Sequence, residues 1–528
     1  MNNRAIYIFS IILLATFSTW PCSDHYSVSY FYDGGRDLHE LPNTFFYSEY
    51  IILFDIPPEV SAIGMAEHKR NSRQRVIEAD INDLKGTLGD NPDAEYLLKG
   101  YSSLRRALNE HVDYVENKNS SRRYDSELFT MTFETKPFED VLGKIPEEFA
   151  LYIRGAAAFQ SYQWEDAINY FSAVLELSPE RRKYRSVWAT FMLGKTFIRT
   201  EQYAEAVSFF EKTRELIKEG YHDSVETIEA SWGWQGRAHY LAKEYLRALH
   251  AYVEQQKISK NWQSASQSIR EVFYASYKDQ EVFRDLAQDE LLRQLYTAHE
   301  ISQEYPSETD SFWLEINLAL VKEGLYTGAD QLAWLAYQCG DMDSAEQWLQ
   351  HSPTDSPYTL YVKAKMLIRE GNTEEGISIL QKLADMPHNK IWRFEITHDR
   401  NYSRQPSEVF IEDIAGAFLQ RDNYSDALKT FIITDDWPDA AFVAHRIMTI
   451  TELKEFILNC ENDDAFLDLS DVRLKPSPQP MDWMGEWPII NEKGYPLNAS
   501  AYYILWYSLI SFPYELSIPS FVHAYFRL

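Results

Sequence analysis

From Arg73 onward, apolar residues return every three or four positions, the spacing that gathers them on one face of a helix. Arg73 to Leu88 predicts one helix. Asp93 to Asn117, opening after Pro92 and carrying Leu97, Leu98, Leu104, Leu108 and Val112, predicts a second. From Phe149 to Pro179, FALYIRGAAAFQSYQWEDAINYFSAVLELSP, the pattern becomes helix, turn and helix. Gly155 lies on the first helix, Ala167 comes twelve residues later on the second, Phe171 follows one turn on, and Pro179 closes the unit. A small residue on each helix lets the backbones approach, the aromatic fills the gap, and the proline stops the second helix.

The same spacing recurs at Gly194, Ala206 and Phe210, and at Gly236, Ala248 and Tyr252. Weaker copies follow at Ala333, Ala345, Leu349 and Pro353, at Ala364, Gly376, Leu380 and Pro387, and at Ala415, Ala427 and Phe431. This pattern resembles the tetratricopeptide repeat. The glycines Gly155, Gly194 and Gly236 stand 39 and 42 residues apart. That exceeds the family's unit of roughly 34, so the helices or their connections are extended.

The resemblance implies an all-α, tetratricopeptide-like helical-repeat solenoid with a partly irregular N-terminal region. It also implies that the first helix of each pair lines a groove that binds peptides or protein segments. Carried onto this sequence, that face is Phe149, Tyr152 and Phe159, then Trp188, Phe191 and Lys195, then Arg237 and Tyr240. Trp and Tyr supply large contact area at low entropy cost, and Lys or Arg can hold a carboxylate. Helical aromatic stripes also serve as packing between repeats, and these residues suit that role as well.

The expected organisation is a signal peptide over 1–22, an irregular and helical region over 23–140, three clear repeats over 141–260 and degenerate helical repeats over 261–330. Weaker repeats and helices then occupy 331–474, and a Pro/Trp linker with an apolar aromatic stretch occupies 475–528. Asn2, Asn3 and Arg4 precede the apolar run Ala5 to Phe17, which fits an export signal and is short for a membrane span. Cys22 stands where a lipid-modified cysteine would, but Pro21 is unlike a bacterial lipobox, so a lipid anchor is not favoured. Asp435 to Ile457, with Trp437-Pro438 and Thr451 as an expected N-cap, is similar to segments of uncharacterised exported bacterial repeat proteins. That similarity implies a periplasmic or envelope setting.

Formal net charge is −29, from 80 Asp plus Glu against 51 Lys plus Arg. This argues against a nucleic-acid partner, which needs clustered cations. Cys22, Cys339 and Cys460 form no close pair, and the last two pair only if the fold brings them together. Gly194-Lys195-Thr196 mimics the end of a phosphate-binding loop, but Ala189 stands where its first glycine belongs and the triplet sits inside a helical pattern. No motif of a hydrolase, a metal site or a nucleotide site is present, so neither enzyme nor cofactor is expected. His299 and Glu300 read as surface residues. The N-x-[ST] sequons at Asn119, Asn401, Asn423 and Asn498 matter only in a eukaryotic source. An alternative function is an envelope glycan-binding protein or hydrolase using aromatic loops at Trp392, Trp483 and Trp487.

Overall fold

The structure is a computed structural model that describes residues 46–56, 65–121, 129–259, 262–277, 279–303, 308–321, 324–386, 406–433 and 437–460. The expected signal peptide, Cys22, Trp392, Trp483, Trp487 and the C-terminal aromatic stretch lie outside these residues. So do the side chain of Cys460 and two of the sequons, Asn401 and Asn498. Among the described residues, all regular secondary structure is helical. The fold is an all-α helical-repeat solenoid, and it divides into two compact units, Glu49–His299 and one that groups the residues up to Ser48 with those from Glu300 onward.

The first unit opens with α1 (Phe46–Leu53), α2 (Met65–Leu88) and α3 (Ala94–Ser121), then a 3-10 turn (Lys136–Phe138) and the short α4 (Glu139–Leu142). Three helix pairs follow: α5 (Glu147–Gln160) with α6 (Trp164–Glu176), α7 (Ser186–Arg199) with α8 (Tyr203–Lys218), and α9 (Thr227–Leu241) with α10 (Tyr245–Ile258). The unit continues through α11 (Trp262–Ser276), α12 (Gln280–Gln288) and α13 (Glu290–Glu300). In the second unit, α14 (Glu308–Val321) precedes the pairs α15 (Ala329–Gln338) with α16 (Met342–Leu349), α17 (Pro357–Arg369) with α18 (Thr373–Ala384), and α19 (Pro406–Gln420) with α20 (Tyr424–Ile433). It then runs through α21 (Trp437–Phe442), a π-helical turn (Val443–Ile447) and α22 (Ile450–Cys460).

Each of the three pairs in the first unit is held by the contact its sequence anticipates. A Cβ added to Gly155 would stand 2.7 Å from Phe171 Cε1, on Gly194 2.6 Å from Phe210 Cε1, and on Gly236 2.6 Å from Tyr252 Cε1. The aromatic ring takes the space a side chain would fill. Phe171 and Phe210 are wholly buried and Tyr252 nearly so, and each ring contributes about 1.5–3 kcal/mol by leaving water.

The turn inside each pair is equally regular. Seven residues after the small residue, the chain enters the left-handed region at Tyr162, Glu201, Lys243, Gly340, Gly371 and Asp422, with φ of 62°, 60°, 62°, 77°, 90° and 57°. The next residue then donates its N–H to the carbonyl five back, Gln163 to Ala158 and Gln202 to Phe197 at 2.9 Å in both cases, and likewise in the other four turns. This is a Schellman ending, which satisfies two orphan carbonyls and reverses the chain. The weaker sequence copies therefore share the turn geometry of the clear ones.

Four local expectations need correction. Pro179 does not cap α6, which ends at Glu176; it opens the 3-10 turn Pro179–Arg181, where its missing N–H costs nothing. The N-cap of α22 is Thr449 rather than Thr451. Glu452 N–H donates to Thr449 Oγ1 at 3.3 Å and Thr449 N–H donates to Glu452 Oε2 at 2.7 Å, a reciprocal capping box. His299 and Glu300 are buried, not on the surface. His299 packs among the rings of Phe273, Tyr274 and Tyr296, and burial, helped by the charge of Arg270, pushes its pKa down to about 3.

The long connections between repeats have a visible use. Residues 177–185 lie between α6 and α7, and residues 219–226 between α8 and α9. His222 N–H donates to Lys183 O at 3.1 Å, and the rings of Tyr184 and His222 meet at 5.0 Å, so the two connections are joined to each other.

Candidate functional site

The first-helix face of the three clear repeats carries all eight expected groove residues. The structure splits them into two stretches. In the first stretch, helices α2 and α3 supply side chains that cover the face: Tyr101 lies edge-on to Phe149, and Leu97, Tyr101, Leu104 and Leu108 share one core with Phe149, Tyr152 and Trp188. Phe159, at the border with the second stretch, is buried against Trp164, and Phe149, Tyr152 and Trp188 are buried in the core shared with α3. They are packing residues in this structure, because the N-terminal helices already occupy the surface that an open groove would offer.

At the centre of this closed stretch is Arg185, a fully buried guanidinium that the sequence reading missed. Its Cζ lies 4.2 Å from the centroid of the Phe149 ring and 4.4 Å from that of Trp188. Nη2 donates to Asp80 Oδ1, and Nη1 donates to Asp83 Oδ2 at 2.9 Å. Both acids come from α2, three residues apart and so on one helix face. Tyr101 Oη donates to the second oxygen of Asp80 at 2.9 Å, and Arg105 Nε lies 3.0 Å from it as an ion pair without hydrogen-bond geometry. Ser224 donates to Asp83 at 2.8 Å, and His222 Nε2 meets Asp83 Oδ1 at 3.0 Å. Burial alone would lower the pKa of Arg185; the carboxylates outweigh it and hold the guanidinium above its ordinary value. Burial pushes the Tyr152 phenol up to about 12.

The second stretch has the same ingredients without the carboxylates. Lys195 Nζ lies 4.6 Å from the Trp234 ring, 5.7 Å from Phe159 and 5.8 Å from Phe191, so the ammonium sits in an aromatic box. Desolvation, with a smaller contribution from Arg199, lowers its pKa from 10.5 to about 8. Arg199 follows one turn along α7, and Arg237 and Tyr240 stand on α9 beyond Trp234. Arg199 and Arg237 are exposed, and Phe191, Trp234 and Tyr240 are half-buried. Among the described residues, no carboxylate pairs with Lys195, Arg199 or Arg237. Lys195 follows Gly194 as Arg237 follows Gly236, so the two cations occupy equivalent places in successive repeats.

The second unit supplies an internal control. Lys365 follows Ala364 as Lys195 follows Gly194, yet Lys365 Nζ pairs with Asp413 at 2.7 Å and Tyr361 Oη donates to the same carboxylate at 2.6 Å. There the position is neutralised from within. Sequence reasoning missed Asp80, Asp83, Tyr101, Arg105, Arg185, Arg199 and Trp234. The available signals were the overlong repeat spacing and the run Arg181-Arg182-Lys183 with Arg185, which is unusual in so acidic a chain.

Other candidate chemistry is absent from this face. Gly194-Lys195-Thr196 lies within α7, its backbone committed to the helix, and Thr196 Oγ1 donates to Met192 O at 2.7 Å. Among the described residues, no group of three His, Cys, Asp or Glu is placed to hold a metal ion, and no helix is long and apolar enough to cross a membrane. Cys339 is a half-buried free thiol, and burial together with nearby Asp310, Asp341 and Glu300 raises its pKa to about 12, a poor nucleophile. The Asn119 amide brackets Phe129, donating to its carbonyl at 3.1 Å and accepting from its N–H at 2.7 Å, so this sequon is engaged within the fold.

No family model matches this chain, and no curated protein matches it. Among solved structures, the complex of the TPR2AB domain of yeast Sti1 with pHSP90 matches with a TM-score of 0.26 and 13% identity, covering 61% of this chain and 98% of that one. The fold assignment rests on the repeat geometry described above.

Proposed function

We propose that this chain is an exported protein-interaction scaffold that captures a protein or peptide segment on the first-helix face of its second and third clear repeats. Binding is reversible and involves neither cofactor nor turnover. The observation that carries this reading is Lys195, boxed by Phe159, Phe191 and Trp234 with Arg199 one turn along α7 and Arg237 at the equivalent place in the next repeat, all three left without acidic partners among the described residues in a chain of net charge −29. Leaving the desolvated Lys195 unpaired beside aromatic surface costs stability, and a bound anionic segment offsets that cost. The bacterial periplasmic or envelope setting rests on the N-terminal run Ala5 to Phe17 and on the similarity carried by Asp435 to Ile457.

The test is photo-crosslinking from Tyr240, replaced by a photoreactive phenylalanine analogue, in the native envelope fraction. It is compared with the same protein carrying Lys195→Gln and Arg237→Gln, after circular dichroism shows equal helicity. A partner cross-linked by the first and lost by the second is the expected result. Equal cross-linking by both, or none by either, would remove this face as the site.

A further inference from the structure

The closed stretch shows which kind of occupant this face accepts, because one is already seated on it. Its occupant is a helix, α2, and the contact is made by two carboxylates on one face of that helix, Asp80 and Asp83, meeting a cation between aromatic rings. The open stretch continues the same surface: Phe159 lies two turns along α5 from Tyr152, and Phe191 lies one turn along α7 from Trp188. It repeats the same chemistry, with Lys195 between Trp234, Phe159 and Phe191, and Arg237 at the equivalent place in the next repeat. Only the carboxylates are missing. An extended peptide points successive side chains to opposite sides, whereas a helix aligns residues three and four apart, which is the spacing by which Asp80 and Asp83 reach Arg185 together.

Building on the peptide-capture reading, we infer that the open stretch takes an acidic α-helix of a partner protein, laid against the face as α2 is laid against the first. The partner's carboxylates, one turn apart, pair with Lys195 and Arg237, and its apolar residues cover Phe191 and Trp234. Electrostatic complementarity fixes the register, as buried charge pairs do at other interfaces.

The test uses the full exported chain and fluorescence anisotropy with three synthetic probes, each acetylated at its N-terminus and amidated at its C-terminus so that no terminal charge contributes. One is a helix-forming peptide with Glu and Asp pairs three and four apart beside a leucine stripe. The second has the same residues interrupted by two central prolines, and the third replaces every acid by its amide. The acidic helix binds, and its affinity falls as salt rises from 50 to 200 mM. Lys195→Gln and Arg237→Gln each weaken it by about tenfold. The proline-interrupted and amide probes bind at least roughly tenfold less tightly. Equal binding of the proline-interrupted probe overturns the helix while leaving capture of a segment intact, and equal binding of the amide probe overturns the charge recognition. A native partner lost on Lys195→Gln and Arg237→Gln, together with no binding of the acidic helix, overturns the inference and leaves the scaffold reading standing.

Discussion

Arg185 and Lys195 stand ten residues apart, each framed by aromatic rings on the first-helix face, and their circumstances are opposite. Arg185 is fully buried and answered by Asp80 and Asp83. Lys195 is only partly buried and answered by no described carboxylate, and its pKa falls where that of Arg185 rises. The difference teaches that aromatic-plus-cation chemistry does not itself mark a binding site. What matters is whether the chain brings its own carboxylates to the cation. Where it does, the position is structural, as at Arg185 and again at Lys365; where it does not, an outside partner has something to supply.

Removing Arg185 is the most damaging way to break the comparison. Arg185→Met leaves Asp80 with Arg105 alone and Asp83 with only His222 and Ser224 beside it, one buried negative charge in excess, and a loss of about 3–5 kcal/mol is expected in urea unfolding of the first unit. Restoring charge balance with Asp83→Asn in the same chain, which leaves Asp80 paired with Arg105, recovers a substantial part of it. The frame common to both stretches comes next. Gly194→Ala drives a Cβ into the Phe210 ring, and about 1–3 kcal/mol is lost, with Phe210→Leu in the same protein recovering some of it.

Lys195→Met sharpens the comparison because its sign is reversed. The folded state holds the Lys195 proton less tightly than the unfolded chain does, so the penalty is full below pH 8 and is relieved as pH climbs from about 8 toward 10.5. At pH 7 the methionine variant is expected to be more stable by of order 1 kcal/mol, a gain that shrinks between pH 8 and 10 in parallel denaturation curves. Binding of an acidic partner moves the other way, weakening as Lys195 loses its proton above pH 8. The smallest expected effect lies in the turns. Glu201→Gly and Lys243→Gly release side chains from the left-handed region and raise stability by up to about 1 kcal/mol, whereas Gly371→Ala lowers it by about the same amount. Melting temperatures of the three variants check this.

Much of the fold was legible because each repeat is a local object. Gly155 and Phe171 are close in sequence and meet in space, so spacing alone foretold their packing. The same holds for Gly194 with Phe210 and Gly236 with Tyr252. The capping box at Thr449 and Glu452 was also readable from sequence, though the wrong threonine was chosen. The site was only half legible. Lys195, Arg237, Phe191 and Tyr240 were placed on the first helices by register, but nothing local distinguished them from Phe149, Tyr152 and Trp188, which α2 and α3 cover. His299 went wrong for the same reason, since its burial comes from rings on another helix.

By itself, the sequence determined the helices, the pairing within repeats and the face on which each candidate residue stands, because those depend on contacts between residues a few turns apart. Only the tertiary structure decided which part of that face the described residues cover. Asp80 and Asp83 reach Arg185 across 105 and 102 residues of chain, and no periodicity records a meeting at that distance. Whether a cation is spent inside the protein or kept for a partner is set by such long-range pairings.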